Sequence, residues 1–346
     1  MQKPDQAKSS AYPEPLDAIV LAGTDVNPRR MIQGQNKAFL EVGGRALVRR
    51  MVEALLRARS VGTVFVVGPG DRLRMVLQDA LVSAEGRVVI VEQAGKMLAN
   101  AWAAIEASEG RYRATRGHDD PHRPLLFISS DLPLVSAEAI DDFVARCAAR
   151  DARERVEGSM LAGVAEEASL SRYYSDEGGR GIERPYVHLA ECRVRLANIY
   201  VGRPRTLAHQ DFLQTGFEYR KAEKWKNVVA LAWHFLGQAG GWQAAWLTLR
   251  LQLTLLASRR LQNRLWNALY HRLRPANTSE RVERGCSTVL GGPVRMVITP
   301  YGGLSLDADN EEDFRVLSDR FAEWSRVGPR ESRPGASLPG KAVSAA

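Results

Sequence analysis

The chain has 346 residues, of which 45% are hydrophobic and 25% are charged, and its net charge is +8. This length is sufficient to bury a full hydrophobic core, in one large domain or in two. The three cysteines lie far apart and form no CxxC pair, which predicts reduced thiols in a cytosolic protein. The first fifteen residues lack the apolar stretch of a signal peptide, so none is expected. Residues 1–15 and 328–346 are predicted to be disordered.

The positive charge is concentrated in one part of the chain. Residues 220–274 hold ten Lys or Arg side chains and one acidic residue, Glu223, together with five of the seven tryptophans. The excess basicity therefore belongs to an inserted segment and not to the chain as a whole.

Residues 16–56 organise the amino-terminal part of the chain. Residues 16–22 are apolar, as in a buried strand, and a polar loop with arginine and lysine follows Gly23. A turn at Gly43 and Gly44 then leads into apolar residues at helical spacing over residues 46–58. This order favours a polyphosphate ligand, because glycine lets backbone N–H groups approach phosphates that the cations neutralise. Neither GxxxxGK[ST] nor GxGxxG is present, and a solvated surface loop is the alternative.

Strand-like and helix-like segments alternate through the following residues, which predicts the α/β class. The predicted strands are residues 63–67, 88–91 and 125–128, and the predicted helices are residues 72–81, 96–106 and 137–149. Residues 111–123 are polar and are predicted to form a loop. His118, Asp119, Asp120 and His122 in this loop permit a metal cluster, but a mobile, solvated loop is the favoured interpretation.

Asp131 follows the predicted strand 125–128 at its carboxyl end, where open α/β sheets bind their ligands. Pro133 ends the strand, and Ser136 can cap the next helix. A carboxylate at this place suits Mg²⁺, which takes one or two carboxylates and completes its shell with water and substrate phosphate. The alternative is a helix-capping aspartate.

Three further segments follow in the second half of the chain. The pattern over residues 159–164 predicts a strand, and residues 186–189 and 195–201 are predicted to form a strand pair. Arg184 precedes this pair, and it is either a candidate contact for an anionic acceptor or a solvated surface cation. Near the end, Asp307 and Asp309 follow a glycine turn and precede a helix with an acidic first turn. A capped surface helix is the alternative for that last segment.

Taken in order, these stretches resemble MobA-like nucleotidyltransferases and their relatives of GT-A-like fold, which share an LAGGxSxRMGxxK motif followed by a glycine turn. The matching residues are Leu21-Ala22-Gly23, Arg30-Met31, Lys37-Ala38 and Val42-Gly43-Gly44-Arg45-Ala46-Leu47. Thr24 and Ile32 replace two glycines of that motif. The resemblance implies a Rossmann-like, three-layer α/β/α domain over residues 16–327, with a mostly parallel sheet and a helical insert at residues 220–274.

The resemblance also implies an activity and a site. The activity is Mg²⁺-dependent transfer of a nucleoside monophosphate from an NTP to a phosphorylated or otherwise anionic small acceptor, with release of pyrophosphate. The implied residues at the nucleotide are Leu21, Ala22, Gly23 and Thr24, with Arg30 and Lys37 at the triphosphate. Asp131 is implied as a catalytic metal ligand with Asp309 as its partner. Asn198 and Arg184 are implied at the acceptor. A GT-A glycosyltransferase and a non-catalytic regulator of the same fold are the alternatives.

The basic insert is helical in composition, and its apolar residues 242–257 are too few and too polar to span a membrane. The favoured interpretation is a helical hairpin packed on the domain or on a second copy. Peripheral contact with an anionic membrane at the inner face is the second interpretation, and nucleic acid is unlikely on this pattern, because no stacking platform accompanies the charge. The oligomeric state is left open.

Overall fold

The structure is a computed structural model, and it describes residues 11–23, 31–154, 156–210 and 241–330. Thr24 and Arg30 lie outside the described residues, as do the first part of the basic insert and most of the two terminal segments predicted to be disordered.

One large mixed sheet dominates the fold. The strands are β1 (Leu16–Leu21), β2 (Glu41–Val42), β3 (Arg45–Ala46), β4 (Val61–Gly68), β5 (Val88–Glu92), β6 (Leu125–Ser129), β7 (Met160–Glu166), β8 (Val187–His188), β9 (Arg193–Gly202) and β10 (Val294–Thr299). The large sheet has the order β10-β7-β9-β6-β1-β4-β5, with β8 paired to β9. β9 runs antiparallel to β6 and β7, whereas β1, β4, β5 and β6 are mutually parallel and β10 is parallel to β7.

Helices cover both faces of this sheet. They are α1 (Leu47–Arg57), α2 (Gly70–Val76), α3 (Gln78–Ser83), α4 (Met97–Arg116), α5 (Ala137–Arg153), α6 (Glu167–Leu170), α7 (Gly241–Ser258), α8 (Arg264–Leu273), α9 (Ser279–Leu290), α10 (Glu311–Asp319) and α11 (Phe321–Trp324). α1 and α5 pack on one face, and α4 packs on the other face against β1 and β4. The expected mostly parallel, three-layer α/β/α architecture is confirmed.

The core follows from the position of β1 in the middle of the sheet. Ala18, Ile19 and Val20 are fully buried, as expected for a strand covered on both faces. Val20 packs in the same cluster as Met51 and Leu55 of α1, whereas Ile19 packs with apolar residues of α4. Each such buried side chain contributes about 1.5–3 kcal/mol relative to its exposure to water.

Two predicted boundaries are wrong. Residues 111–116 were expected to be loop, but they continue α4 to Arg116, and the helix ends at Gly117, which adopts φ 77° in the left-handed region. The polar composition of these residues reflects an exposed helix surface. The helix expected over residues 72–81 is divided into α2 and α3, because Leu77 leaves the helical conformation at ψ 11°.

The histidines of the following turn have local partners. His118 Nδ1 lies 3.1 Å from the carbonyl oxygen of Arg116, and Asp119 pairs with Arg113 at 2.8 Å. The described residues contain no group of three or more His, Cys, Asp or Glu that could hold a metal ion. The turn lines a cavity of about 260 Å³ near Arg123, which pairs with Asp17 at the amino end of β1, on the edge opposite the candidate site below.

The described part of the basic insert is helical, and polar contacts attach it to β8. α7 packs against α8 and α9. Asn277 is completely buried: its Nδ2 donates to Thr254 Oγ1 (2.9 Å), its Oδ1 accepts from Arg250 Nε (2.6 Å), and its carbonyl accepts from the N–H of Ala190 (2.8 Å). Among the described residues, no helix is long and apolar enough to cross a membrane.

Candidate active site

The carboxyl ends of β1 and β6 meet at one edge of the sheet, as parallel neighbours must. Two side chains join the end of β1 to its surroundings: Ser130 Oγ donates to the carbonyl of Leu21 (2.8 Å), and Asn36 Nδ2 donates to the carbonyl of Ala22 (2.9 Å). Leu21, Ala22 and Gly23 therefore lie at the edge of the sheet where α/β proteins bind ligands.

Gly23 is required by a close approach. A Cβ at this position would collide with the side-chain amide of Asn100, which is 5% exposed. Asn100 Oδ1 accepts the N–H groups of Ala94 (2.7 Å) and Gly95 (3.0 Å), and so it shapes the loop after β5 beside the end of β1. Asn100 was not a predicted site residue, although an asparagine in the first turn of a helix after a strand is a signal for such a role.

Lys37 lies between the two predicted metal ligands. It begins a 3-10 turn, Lys37–Phe39, whose start is capped by Asn36 Oδ1 accepting the N–H of Ala38 (3.0 Å). Lys37 Nζ is 3.7 Å from Asp131 Oδ2 and 3.4 Å from Asp309 Oδ1. The structure therefore brings these three predicted residues together from separate parts of the chain, and all three side chains are more than two-thirds buried.

The two acidic segments contact each other directly. The N–H of Ala308 lies 3.4 Å from the carbonyl oxygen of Asp131, and Ser129 Oγ donates to Asp131 Oδ1. Asp309 precedes α10, whose first turn is capped by Asn310 Oδ1 accepting the N–H of Asp313 (2.9 Å). The helix start predicted from the acidic first turn is thus present, one residue after Asn310.

Two arginines meet the same acidic group from the other side. Arg184 Nη2 lies 2.8 Å from Asp313 Oδ2 and 4.0 Å from Asp309 Oδ2, and it donates to the carbonyl of Asp307 (2.9 Å). Arg195 Nη2 lies 3.5 Å from Asp307 Oδ1. Arg195 was not a predicted site residue. Its position at the start of β9 is the signal, since the amino end of an antiparallel strand falls at the same edge as the carboxyl ends of its neighbours.

Asp307 is the most buried of these carboxylates. It is 2% exposed, and Oδ1 has no hydrogen-bond partner among the described residues. Burial, together with the charges of Asp131 and Asp309, raises the pKa of Asp307 to about 6. A buried polar atom without a hydrogen bond lowers the stability of the folded protein, and repulsion between neighbouring carboxylates at one edge lowers it further.

The carboxylates suit a hard divalent cation. Mg²⁺ takes one or two carboxylates from a protein and completes its shell with substrate phosphate and water, and Asp131 and Asp309 are two carboxylates at one place.

The remaining predicted residues are less directly placed. Asn198 is 7% exposed in β9, three residues beyond Arg195. Thr24 and Arg30 lie outside the described residues, so their predicted roles have no geometry.

Residues 18–190, half of the chain, match the MobA-like NTP transferase domain. The chain belongs to this family, and it is a nucleotidyltransferase. No functionally curated protein matches the sequence.

Three solved structures are similar to this MobA-like transferase. A hypothetical transferase from Thermus thermophilus is 21% identical, with a TM-score of 0.50 over 86% of this chain and 99% of that one. A nucleotidyl transferase from Methanothermobacter is 15% identical, with a TM-score of 0.41 over 89% of this chain and 98% of the other. A 4-diphosphocytidyl-2C-methyl-D-erythritol synthase from Anaerococcus prevotii is 12% identical, with a TM-score of 0.42 over 89% and 96%.

Proposed function

We propose that this nucleotidyltransferase moves a nucleoside monophosphate from an NTP to a phosphorylated or otherwise anionic small molecule and releases pyrophosphate. The observation that carries the proposal is the position of Lys37, whose ammonium lies within 4 Å of both Asp131 and Asp309 at the carboxyl edge of the sheet. Lys37 can neutralise the charge of a triphosphate, and the two partly buried carboxylates can hold the metal ion that accompanies it, beside Gly23 at the end of β1.

The protein's contribution to the reaction is positioning and charge neutralisation. The acceptor oxygen attacks the α-phosphorus in line, and negative charge develops on the departing pyrophosphate. Lys37 is proposed to hold the triphosphate and to stabilise that charge, together with Arg30. The backbone from Leu21 to Thr24 is proposed to meet the nucleotide, since it follows β1 at the carboxyl edge of the sheet, where α/β sheets bind their ligands.

Mg²⁺ is the proposed cofactor, and Asp131 and Asp309 would hold it. When bound, the ion neutralises phosphate charge. Asp131 is positioned by the preceding buried strand β6 and by the hydroxyl of Ser129, which donates to its carboxylate. Asp309 is positioned by the contact between the N–H of the preceding Ala308 and the carbonyl of Asp131.

The acceptor is proposed to bind on the side of Arg184, with Asn198 facing it. Arg184 is only 11% exposed and is held by Asp313 and by the carbonyl of Asp307, so its guanidinium is oriented before any ligand arrives. An oriented, partly desolvated cation favours an anionic acceptor.

Two other functions remain as alternatives. A GT-A glycosyltransferase would use the same sheet and metal but would not need the lysine of the first loop. A non-catalytic regulator would be compatible with Thr24 and Ile32 in place of the motif glycines. The position of Lys37 against both acidic segments favours the nucleotidyltransferase over each.

Pyrophosphate release tests the proposal. The full chain is incubated with each of the four NTPs, Mg²⁺ and a panel of sugar phosphates and other phosphorylated small molecules, with EDTA as the metal control. We expect release with one preferred NTP and one acceptor class, and none with EDTA. A folded protein that binds NTP without turnover would support the regulator, and turnover of sugar nucleotides alone would support the glycosyltransferase.

The proposal includes a cytosolic location with peripheral contact between the basic insert and an anionic membrane. That contact is independent of the transfer reaction.

A further inference from the structure

The turn between α7 and α8, together with the first two residues of α8, is a continuous exposed stretch. All seven residues from 259 to 265 are exposed, and we call them the basic corner. Three are arginines: Arg259, Arg260 and Arg264. Two are leucines, and Leu265 is 81% exposed while Leu261 is 41% exposed. A protruding turn that presents apolar and cationic side chains together differs from an ordinary solvated helix connection, which is polar.

The charge of this corner is not neutralised within the described part of the chain. No acidic residue occurs between Glu223 and Glu280. None of the three arginines forms an ion pair with a described carboxylate, whereas other exposed arginines, such as Arg113, Arg205 and Arg315, do. Arg260 instead lies over the ring of Trp266, with its Cζ 5.0 Å from the ring centroid.

We propose that the basic corner docks on an anionic lipid surface. The arginines attract negatively charged headgroups, and the two leucines can enter the boundary between headgroups and acyl chains. A nucleic acid would pair with the same arginines but would leave both leucines in water, so it would account for the charge of the corner but not for its apolar side chains. The charge complementarity and the exposed apolar side chains together select the lipid.

Hydrogen bonds just after α8, the helix that begins in the corner, attach it to the edge of the sheet that carries the candidate site. Arg274, just after α8, donates from Nε to the carbonyl of Leu189 (2.9 Å), and Asn277 bonds to Ala190. Leu189 directly follows β8, which pairs with the part of β9 next to Arg195. Docking would therefore hold the acceptor side of the site at a fixed orientation to the lipid. This inference rests on the proposed membrane contact of the basic insert and locates it, and it does not depend on the transfer reaction, since it concerns binding alone.

Vesicle sedimentation tests the inference with the full chain. Phosphatidylcholine vesicles with and without phosphatidylglycerol are compared at low and high salt. We expect sedimentation with the anionic vesicles at low salt, loss of binding at high salt, and little binding to the neutral vesicles. The triple variant R259Q/R260Q/R264Q is expected to partition about 10²-fold less, because each basic residue near the surface contributes about fivefold.

Matched variants separate the corner from general charge and general hydrophobicity. R57Q/R59Q/R326Q removes the same charge from exposed positions outside the insert and should reduce partitioning far less. Leu265→Asn should weaken partitioning several-fold, while Val82→Asn, which changes an apolar side chain that is 80% exposed, should leave it unchanged. Thermal melting of each variant checks that it is folded.

Three outcomes would overturn the inference. The first is failure of the wild-type chain to sediment with anionic vesicles at low salt. The second is an equal loss in the two triple variants, which would mean that net charge alone acts. The third is tighter binding to a labelled oligonucleotide than to vesicles, lost in R259Q/R260Q/R264Q, which would assign the corner to nucleic acid.

Discussion

At the scale of single residues, Lys37 is the side chain of the candidate site whose role a substitution tests most directly. Lys37→Met keeps the length of the side chain but removes the ammonium between Asp131 and Asp309. We expect pyrophosphate release to fall by about 10²–10³-fold in kcat/KM, the usual cost of removing one group that stabilises developing charge. Steady-state kinetics measure this, and an unchanged rate would remove Lys37 from the chemistry.

Asp309→Asn tests the proposed metal ligand at the same scale. The substitution keeps the shape of the side chain and removes its charge, so the Mg²⁺ concentration for half-maximal activity should rise at least tenfold. Asp319→Asn, an exposed position at the other end of α10, is the matched control and should behave as wild type. A normal Mg²⁺ titration in Asp309→Asn would mean that this carboxylate is not a ligand.

Two arginines near the end of β9 show how burial sets the value of an ion pair. Arg203 is 2% exposed and pairs with Asp151, which also accepts from the hydroxyl of Tyr12; burial and that carboxylate raise the pKa of Tyr12. Arg205 pairs with Glu109 at the surface. The Arg203–Asp151 pair joins the end of β9 to α5, and the Arg205–Glu109 pair joins it to α4 at the surface.

We therefore expect unequal losses from matched substitutions. Arg203→Ala should lower the free energy of unfolding by about 3–5 kcal/mol, because Asp151 would remain buried without its partner. Arg205→Ala should lower it by about 0–1 kcal/mol. Urea denaturation measures both, and similar losses would contradict the account of the buried pair.

At the scale of elements, β10 is an edge strand that α9 protects. Glu283 of α9 is 8% exposed, accepts the N–H of Met296 (2.8 Å) and pairs with Arg150 of α5 (3.1 Å). One carboxylate thus closes part of an open strand edge and ties two helices to it.

Removal of that carboxylate should loosen the edge. Glu283→Ala leaves the Met296 N–H and Arg150 without their acceptor, so we expect a loss of about 1–3 kcal/mol in the free energy of unfolding and faster hydrogen exchange in β10. Glu280→Ala, one turn earlier on the exposed side of α9, removes a surface pair with Arg284 and is the control. Equal exchange rates in the two variants would show that Glu283 does not protect the strand.

At the scale of the whole molecule, acid stability reports the junction between the insert and the main domain. His188 of β8 contacts the hydroxyl of Tyr270 in α8 (3.0 Å), and burial, with the charges of Arg193 and Arg274, lowers the pKa of His188 from 6.5 to about 4. Between pH 6.5 and about 4, His188 therefore binds a proton in the unfolded chain but not in the folded protein. The contribution of this histidine to stability is therefore complete above pH 6.5 and declines as the pH falls toward 4.

The variant His188→Gln isolates this effect from the many carboxylates that titrate nearby. The difference in free energy of unfolding between wild type and His188→Gln should be constant above pH 6.5 and should shift against the wild type between pH 6.5 and 4. Denaturation at a series of pH values measures the difference. A difference that does not change with pH would mean that His188 is as easily protonated in the folded protein as in the unfolded chain.

Much of the local order was determined by the sequence alone. The apolar run of β1, the capping serine of α5 and the acidic first turn of α10 specify their elements through short-range physics, and the structure confirms each. The motif order around Gly23, Lys37 and Asp131 was sufficient to identify the family that the match over residues 18–190 then showed. Element ends were less predictable, because α4 continues on an exposed polar surface that resembles a loop in composition.

Only the tertiary structure decided which distant residues meet. Asp309 reaches Lys37, 272 positions earlier, because β10 pairs beside β7 and returns the chain to the same edge of the sheet. The same folding brings Arg195 to the acidic group and Asn100 to Gly23. Pairing between strands depends on contacts across the whole sheet, so the sequence determined the elements and the chemistry they carry, and strand order determined the site.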